Sequence, residues 1–252
     1  MAGHSKWATI KRKKAGIDAA RSKVFSRIIR EITIAARLGG GDPAGNPRLS
    51  LAIDNAKTNN MPKDNIERAI KKGTGELGSG SSIDEVLYEG YGPGGVAYFV
   101  EATTDNPNRT VGEIRHIFTR FGGNLGTSGS VSYLFDQKGV ISIPSEGIDK
   151  EGLMLEAIDA GAEDISEDDP EMLEVTTRRE DLFTVRSHLE QCGYTISNAE
   201  LQYIPKTEVK LDESTALTNF KLMSYLEDND DVSNVFNNIK LDEETMAVAE
   251  KL

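Results

Sequence analysis

The chain has 252 residues, room for two or three domains, and its 38% hydrophobic and 28% charged content is that of a folded globular protein. No apolar stretch approaches the roughly 20 residues that span a bilayer, and the charged start MAGHSKWATIKRKK lacks the apolar run of a secretory signal, so a cytoplasmic location is expected. The net charge of −12 conceals a segregation: Met1 to Gly75 holds 16 Lys and Arg against 6 Asp and Glu, a balance of +10, whereas the remaining 13 basic and 35 acidic residues give −22.

The first sixteen residues carry Lys6, Lys11, Arg12, Lys13 and Lys14 without an apolar period, and are read as a flexible arm or one that orders only on a partner. From Ile17 the period is helical, with Val24, Phe25, Ile28, Ile29, Ile32, Ala35 and Ala36 three or four apart, and it stops at Leu38 before Gly39, Gly40 and Gly41. Asn46-Pro47 opens a second helix that fades at Asn59-Asn60, and Pro62 opens a third, closed by Gly73. Together these predict a compact three-helix domain over residues 1–78, ended by the Gly/Ser linker Gly73 to Ser82.

Beyond the linker, strands and helices alternate. Gly95 to Thr104 reads as a strand, Asn108 to Phe121 as a helix and Ser130 to Phe135 as a strand. Six elements follow: strand Val140 to Ile143, helix Lys150 to Ala160, strands Asp164 to Ser166 and Met172 to Thr177, helix Arg179 to Gln191 and strand Tyr194 to Asn198. Their order, β-α-β-β-α-β, is ferredoxin-like. Afterwards come strand Glu200 to Lys206, helix Ser214 to Glu227 and strand Val232 to Ile239, which joined to the first flank make a second set of that order. The fold class expected is α+β and multidomain: a helical domain, then two ferredoxin-like domains. A discontinuous one, 79–136 plus 200–252, carries the other, 137–199, as an insertion.

A nucleic acid is the expected partner, since phosphates need cations at a spacing that tracks the backbone rather than base-specific geometry. At about 100° per residue, with Lys23 at the origin, Arg27 falls at about 40°, Arg30 at about −20° and Arg37 at about −40°, opposite the apolar set. Lys57, Lys63, Arg68, Lys71 and Lys72 extend the surface, and Trp7 among the arm's cations either stacks on an exposed base or staples the arm to the helices. The competing reading is that basic and acidic parts dock on each other.

Motifs of other chemistries fail. Gly90-x-Gly92-x-x-Gly95 leads into a strand and Gly73-x-Gly75-x-x-Gly78 into a linker, so neither has the strand-then-helix setting of a dinucleotide fingerprint, and no P-loop occurs. His4, His116 and His188 show no zinc spacing, and the acidic runs Glu163 to Glu171 and Glu227 to Asp231 lack the calcium-loop glycine. Cys192, the only cysteine, reads as a half-buried residue at a helix end. No catalytic residue, cofactor, metal, membrane or small-molecule substrate is expected, and the oligomeric state is left open. The one enzymatic alternative places a site where Asp105 to Thr110 and Gly122 to Ser130 meet in a cleft between the α/β domains.

Longer motifs carry a resemblance. MAGHSKW at Met1, LGGGDP from Leu38, NNMPKDNIERAIKKG from Asn59, YEGYGPGG from Tyr88, DNPNRT from Asp105, FGGNLGTSGSVSYLF from Phe121 and KGVIS from Lys138 closely resemble the YebC/PmpR family, in order along essentially the whole chain. The resemblance implies a three-domain cytoplasmic protein without established enzymatic activity, from a family described as probable DNA-binding transcriptional regulators. It also implies a translational alternative: a mitochondrial relative is a translational activator, and bacterial members are linked to ribosomes stalled on proline-rich stretches, which would make ribosomal or transfer RNA the partner.

Overall fold

The structure, a computed structural model, describes residues 17–77 and 83–250, with side chains from 24 to 77 and from 83 to 249. The arm residues Lys6, Trp7, Lys11, Arg12, Lys13 and Lys14, and the side chain of Lys23, lie outside the described residues. The fold is α+β. One unit gathers Ile17–Gly80 and Gln137–Gln202, the other Ser81–Asp136 and Tyr203–Leu252.

In the first unit, helices α1 (Ile17–Gly39), α2 (Pro47–Thr58) and α3 (Lys63–Gly73) enclose a core of Ile32, Ala35, Ala36, Leu49, Ala52, Ala56, Met61, Ile66 and Ala69. The many alanines let the helix axes approach closely. Gly73 extends this: a Cβ there would run into the Thr33 carbonyl oxygen and lie 2.8 Å from the Ala36 Cβ. Gly73 is therefore the crossing point of α3 on α1, and the left-handed residue that ends the turn is Gly75, at φ +82°. Asn46 joins the other pair of ends. Its Oδ1 accepts from Leu49 N–H at 3.1 Å and caps α2, while its Nδ2 donates to the carbonyls of Ala35 at 2.7 Å and Gly40 at 2.9 Å. The LGGGDP-x-x-NP segment is thus a helix–helix corner.

The same unit holds β4 (Phe135–Pro144) from Gln137 on, a helix at Lys150–Asp159, β5 (Ala162–Ser166), β6 (Met172–Arg178), a helix at Leu182–Gln191 and β7 (Asn198–Pro205) as far as Gln202.

 The two helices are α5 and α6 in chain order, α4 being Pro107–Arg120 of the second unit. The six elements have the β-α-β-β-α-β order, and the sheet order β5-β6-β4-β7, with β6 antiparallel to both neighbours, is ferredoxin-like. Ile141, Ile143, Leu153, Ala157, Leu173, Val175, Val185 and Leu189 form its core, and Leu51 of α2 packs against it. Beside Leu51, Asn55 Nδ2 donates to the Ala199 carbonyl at 3.0 Å, and the buried Arg186 guanidinium reaches Asp54 and Glu190, both at 2.8 Å. Helix α2 is thereby fixed to the inserted sheet.

In the second unit, β1 (Asp84–Tyr91) and β2 (Ala97–Thr104) form a hairpin whose register runs from Asp84↔Thr104 to Tyr91↔Ala97. Gly94 and Gly95, at φ +76° and +77°, turn it, so the first glycine motif is a hairpin turn. β3 (Asn124–Leu125) pairs with β1, and β8 (Val232–Asn237) pairs with β2, giving the order β3-β1-β2-β8. Counted along the chain this is 3-1-2-4, against 2-3-1-4 in the inserted sheet, because a central strand, β1, precedes the other three. Helices α4 and α7 (Glu213–Asp228) and α8 (Glu243–Glu250) supply Ile114, Phe118, Phe220, Leu222, Leu226 and Val248 to a core shared with Tyr98, Val100 and Val235. Ala97 and Phe99, alternating with these, enter a separate core with Val131, Phe135 and Phe236. Because both faces of β2 are covered, its first half, Ala97 to Val100, reads as an unbroken apolar run.

Three expected strands differ. Ser130 to Phe135 is a loop with a short 3-10 turn at Ser132–Leu134, and the strand starts at Phe135. The cause is Glu89: its buried carboxylate accepts the N–H groups of Gly129 at 2.7 Å, Val131 at 2.6 Å and Ser132 at 2.9 Å, so this backbone wraps an anion instead of joining a ladder. The expected strands Tyr194 to Asn198 and Glu200 to Lys206 are replaced by the single strand β7, which belongs to the inserted sheet. The place left in the second sheet is taken by β1.

Candidate nucleic-acid interface

The C-terminal ends of α1 and α3 lie side by side, since Gly73 abuts Ala36, and a Cβ on Gly41 would meet Thr74 at 2.8 Å and Ile70 at 3.2 Å. Arg37 in the last turn of α1 and Lys71 and Lys72 in the last turn of α3 therefore share one end of the helical module. Around α3, Arg68, Lys71 and Lys72 fall within an arc of roughly 100°, opposite the buried Ile66 and Ala69. All three are exposed, and among the described residues none has a carboxylate within ion-pair distance. Cations in a last helical turn also complement the partial negative charge of the carbonyl end, so part of this arrangement serves the helix itself.

The other expected cations divide by environment. Lys57 is bound to Asp54 at 2.9 Å and Lys63 to Glu67 at 3.5 Å, so each is partly neutralised within its own helix. Arg27 and Arg30 are half-buried and have no carboxylate partner among the described residues. The stripe they begin on α1 is interrupted. Ile34, at about 20° in the angular frame that places Arg30 at about −20°, is only 2% exposed. Ile32 through Ala36 are all buried, so α1 is enclosed on every side there and its polar face does not continue unbroken to Arg37.

Profiles described as the TACO1/YebC protein N-terminal domain and the TACO1/YebC second and third domain match residues 5–76 and 83–239. The chain belongs to the TACO1/YebC family. A Persephonella marina relative named a probable transcriptional regulatory protein is 57% identical over 247 residues, 98% of each chain. A Geobacter sulfurreducens relative with the same style of name is 55% identical over 246 residues, again 98% of each. Among solved structures, that of a conserved hypothetical protein from Aquifex aeolicus has a TM-score of 0.87 at 51% identity, covering 94% of this chain and 98% of that one.

The remaining motifs of this TACO1/YebC chain are engaged in holding its fold. In DNPNRT, Asn106 caps α4 through Arg109 N–H at 3.1 Å. Asp231 gathers the segment: its Oδ2 accepts from Arg109 at 2.7 Å, Thr110 at 2.7 Å and Thr104 at 3.1 Å. Burial raises the Asp231 pKa, but these three donors outweigh it and hold the carboxyl below its usual range. The glycine-rich segment from Gly122 follows the opposite end of α4, a helix of 14 residues and hence about 20 Å long. The two motifs of the enzymatic alternative are therefore held apart. Cys192 is exposed rather than half-buried, and no helix among the described residues is long and apolar enough to cross a membrane.

Proposed function

We propose that this protein is a non-enzymatic cytoplasmic regulator of gene expression that binds DNA by gripping phosphates with the arm and helices of residues 1–78. The observation that carries the reading is the group of exposed cations Arg68, Lys71 and Lys72, without a carboxylate partner among the described residues, in a module whose residues 1–75 have a charge of +10. The names of the relatives support the regulatory role. The acidic remainder, 79–136 with 200–252 and the insertion 137–199, carries −21 and would be repelled by the same polyanion, which favours contact through the helical module.

The test is a salt titration of the full chain on duplex DNA, structured ribosomal RNA and intact ribosomes, paired with crosslinking capture from cells. With about five phosphates neutralised, the log–log slope on duplex DNA is expected near −4 to −5. Tighter binding to ribosomes with recovery of ribosomal RNA would replace the DNA reading by the translational one. Retention on none of the three would end both.

A further inference from the structure

Helices α5 and α6 lie side by side over the inserted sheet, and their buried residues fix what stands on the seam between them. Leu153 and Ala157 anchor α5, and Val185 and Leu189 anchor α6. Glu156 precedes Ala157, and His188 precedes Leu189, so each is held next to a packed neighbour. Cys192, at the C-cap of α6, is four residues beyond His188 and shares its face of the helix. Glu156 Oε2 lies 2.8 Å from His188 Nε2 and 3.4 Å from Cys192 Sγ, and Cys192 Sγ lies 3.5 Å from His188 Nε2. A carboxylate oxygen, an imidazole nitrogen and a sulfur thus form one small triangle.

Such a trio has three uses, and the geometry separates them. A nucleophilic triad needs the thiol on one imidazole nitrogen and the carboxylate on the other, so that the ring passes a proton between them. Here thiol and carboxylate address the same nitrogen, Nε2, which breaks the relay. A simple His–Glu ion pair accounts for one edge and leaves the sulfur unexplained. For a tetrahedral zinc ion at ordinary bond lengths, the ligand atoms are spaced about 3.5 Å for each sulfur edge and about 3.3 Å for the nitrogen–oxygen edge. Two of the three observed edges already match, and the third needs to open by about half an ångström, a small rotation of the Glu156 side chain.

We propose that Glu156, His188 and Cys192 form a binding site for a single zinc-type divalent cation, with water at the fourth position. The mixed sulfur, nitrogen and oxygen set selects a borderline-soft ion over magnesium or calcium. The site is accessible, with Cys192 exposed and the other two half-exposed, so an ion enters without unfolding the seam.

The test uses the metal-free full-length chain titrated with Co2+, whose thiolate-to-metal charge-transfer band and intense visible bands report tetrahedral coordination with a sulfur ligand. One equivalent is expected, displaced by Zn2+. Cys192→Ser is expected to abolish the charge-transfer band, and His188→Ala and Glu156→Gln each to weaken binding about tenfold or more. Circular dichroism and thermal midpoints establish that each variant is folded. The site is refuted if the folded wild type shows no charge-transfer band in cobalt excess, if only the weak bands of octahedral cobalt develop, or if the band survives in Cys192→Ser.

Discussion

Replacing Arg68, Lys71 and Lys72 together by alanine removes three exposed positive charges and touches no core residue of the helical module. Each cation that neutralises one phosphate of duplex DNA contributes about −0.9 to the log–log salt slope, so the triple variant should be shallower by about 2.7. Taken from a 1 M reference to about 0.15 M salt, that slope difference corresponds to a loss of about two orders of magnitude in affinity. Stability should fall only by about 0.3–1 kcal/mol for each cation lost from the last turn of α3. Fluorescence anisotropy with a labelled duplex at four or five salt concentrations gives the slope, and a thermal scan of the same samples gives the stability. A folded triple variant with the wild-type slope would refute the assignment of these residues to the phosphate contact. A parallel loss of affinity at every salt concentration, with no change of slope, would refute it too, because a lost charge contact must register in the slope.

Five further substitutions, four in the helical module and one in the second unit, test the framework of each. Asn46→Ala removes a helix cap and two carbonyl contacts and should cost about 2–4 kcal/mol by urea denaturation. Asn46→Asp keeps the cap but not the donors, and should fail to restore the wild-type midpoint. Gly73→Ala pushes a methyl group into the Thr33 carbonyl and should cost about 1–3 kcal/mol, whereas Gly75→Ala would act only through its left-handed backbone; equal effects would show that the α1–α3 crossing is not the tight point. Burial raises the Glu89 pKa, but the Val131, Gly129 and Ser132 amides outweigh it and lower the folded value below the unfolded one. Its contribution is therefore present above the ordinary carboxylate pKa and lost as the pH falls through the folded value. Glu89→Gln should cost about 2 kcal/mol at neutral pH and narrow its deficit against wild type in acid; a deficit independent of pH would contradict the carboxylate's role.

Much of the architecture is legible where local chemistry and tertiary packing agree. Asn46-Pro47 announces α2 because cap and proline act within one turn, and the inserted β-α-β-β-α-β order follows from short alternating apolar runs. β1 is hidden because Asp84, Glu85 and Glu89 interrupt the apolar pattern, and the reason a glutamate can be buried there lies 40 residues away in the loop it binds. The expected strand at Ser130 to Phe135 goes wrong for the same reason. Among the cations, sequence gives position but not partnership: nothing local distinguishes Lys63, which meets Glu67, from Lys71, which meets no carboxylate among the described residues. Glu156 and Cys192 are brought together by helix packing, so their proximity leaves no trace in spacing, although the four-residue step from His188 to Cys192 is a signal that helical periodicity carries.

The attachment of α2 to the inserted sheet bears on how this chain can be dissected. Cutting away residues 1–78 would strip Leu51 from the insert's core and take Asp54 from the buried Arg186, and the excised piece would in turn present Leu51 to solvent. A fragment that then fails to bind, or that clumps, reports on a torn contact and says nothing about recognition. Function in this chain has to be mapped by single-site changes in the intact polypeptide.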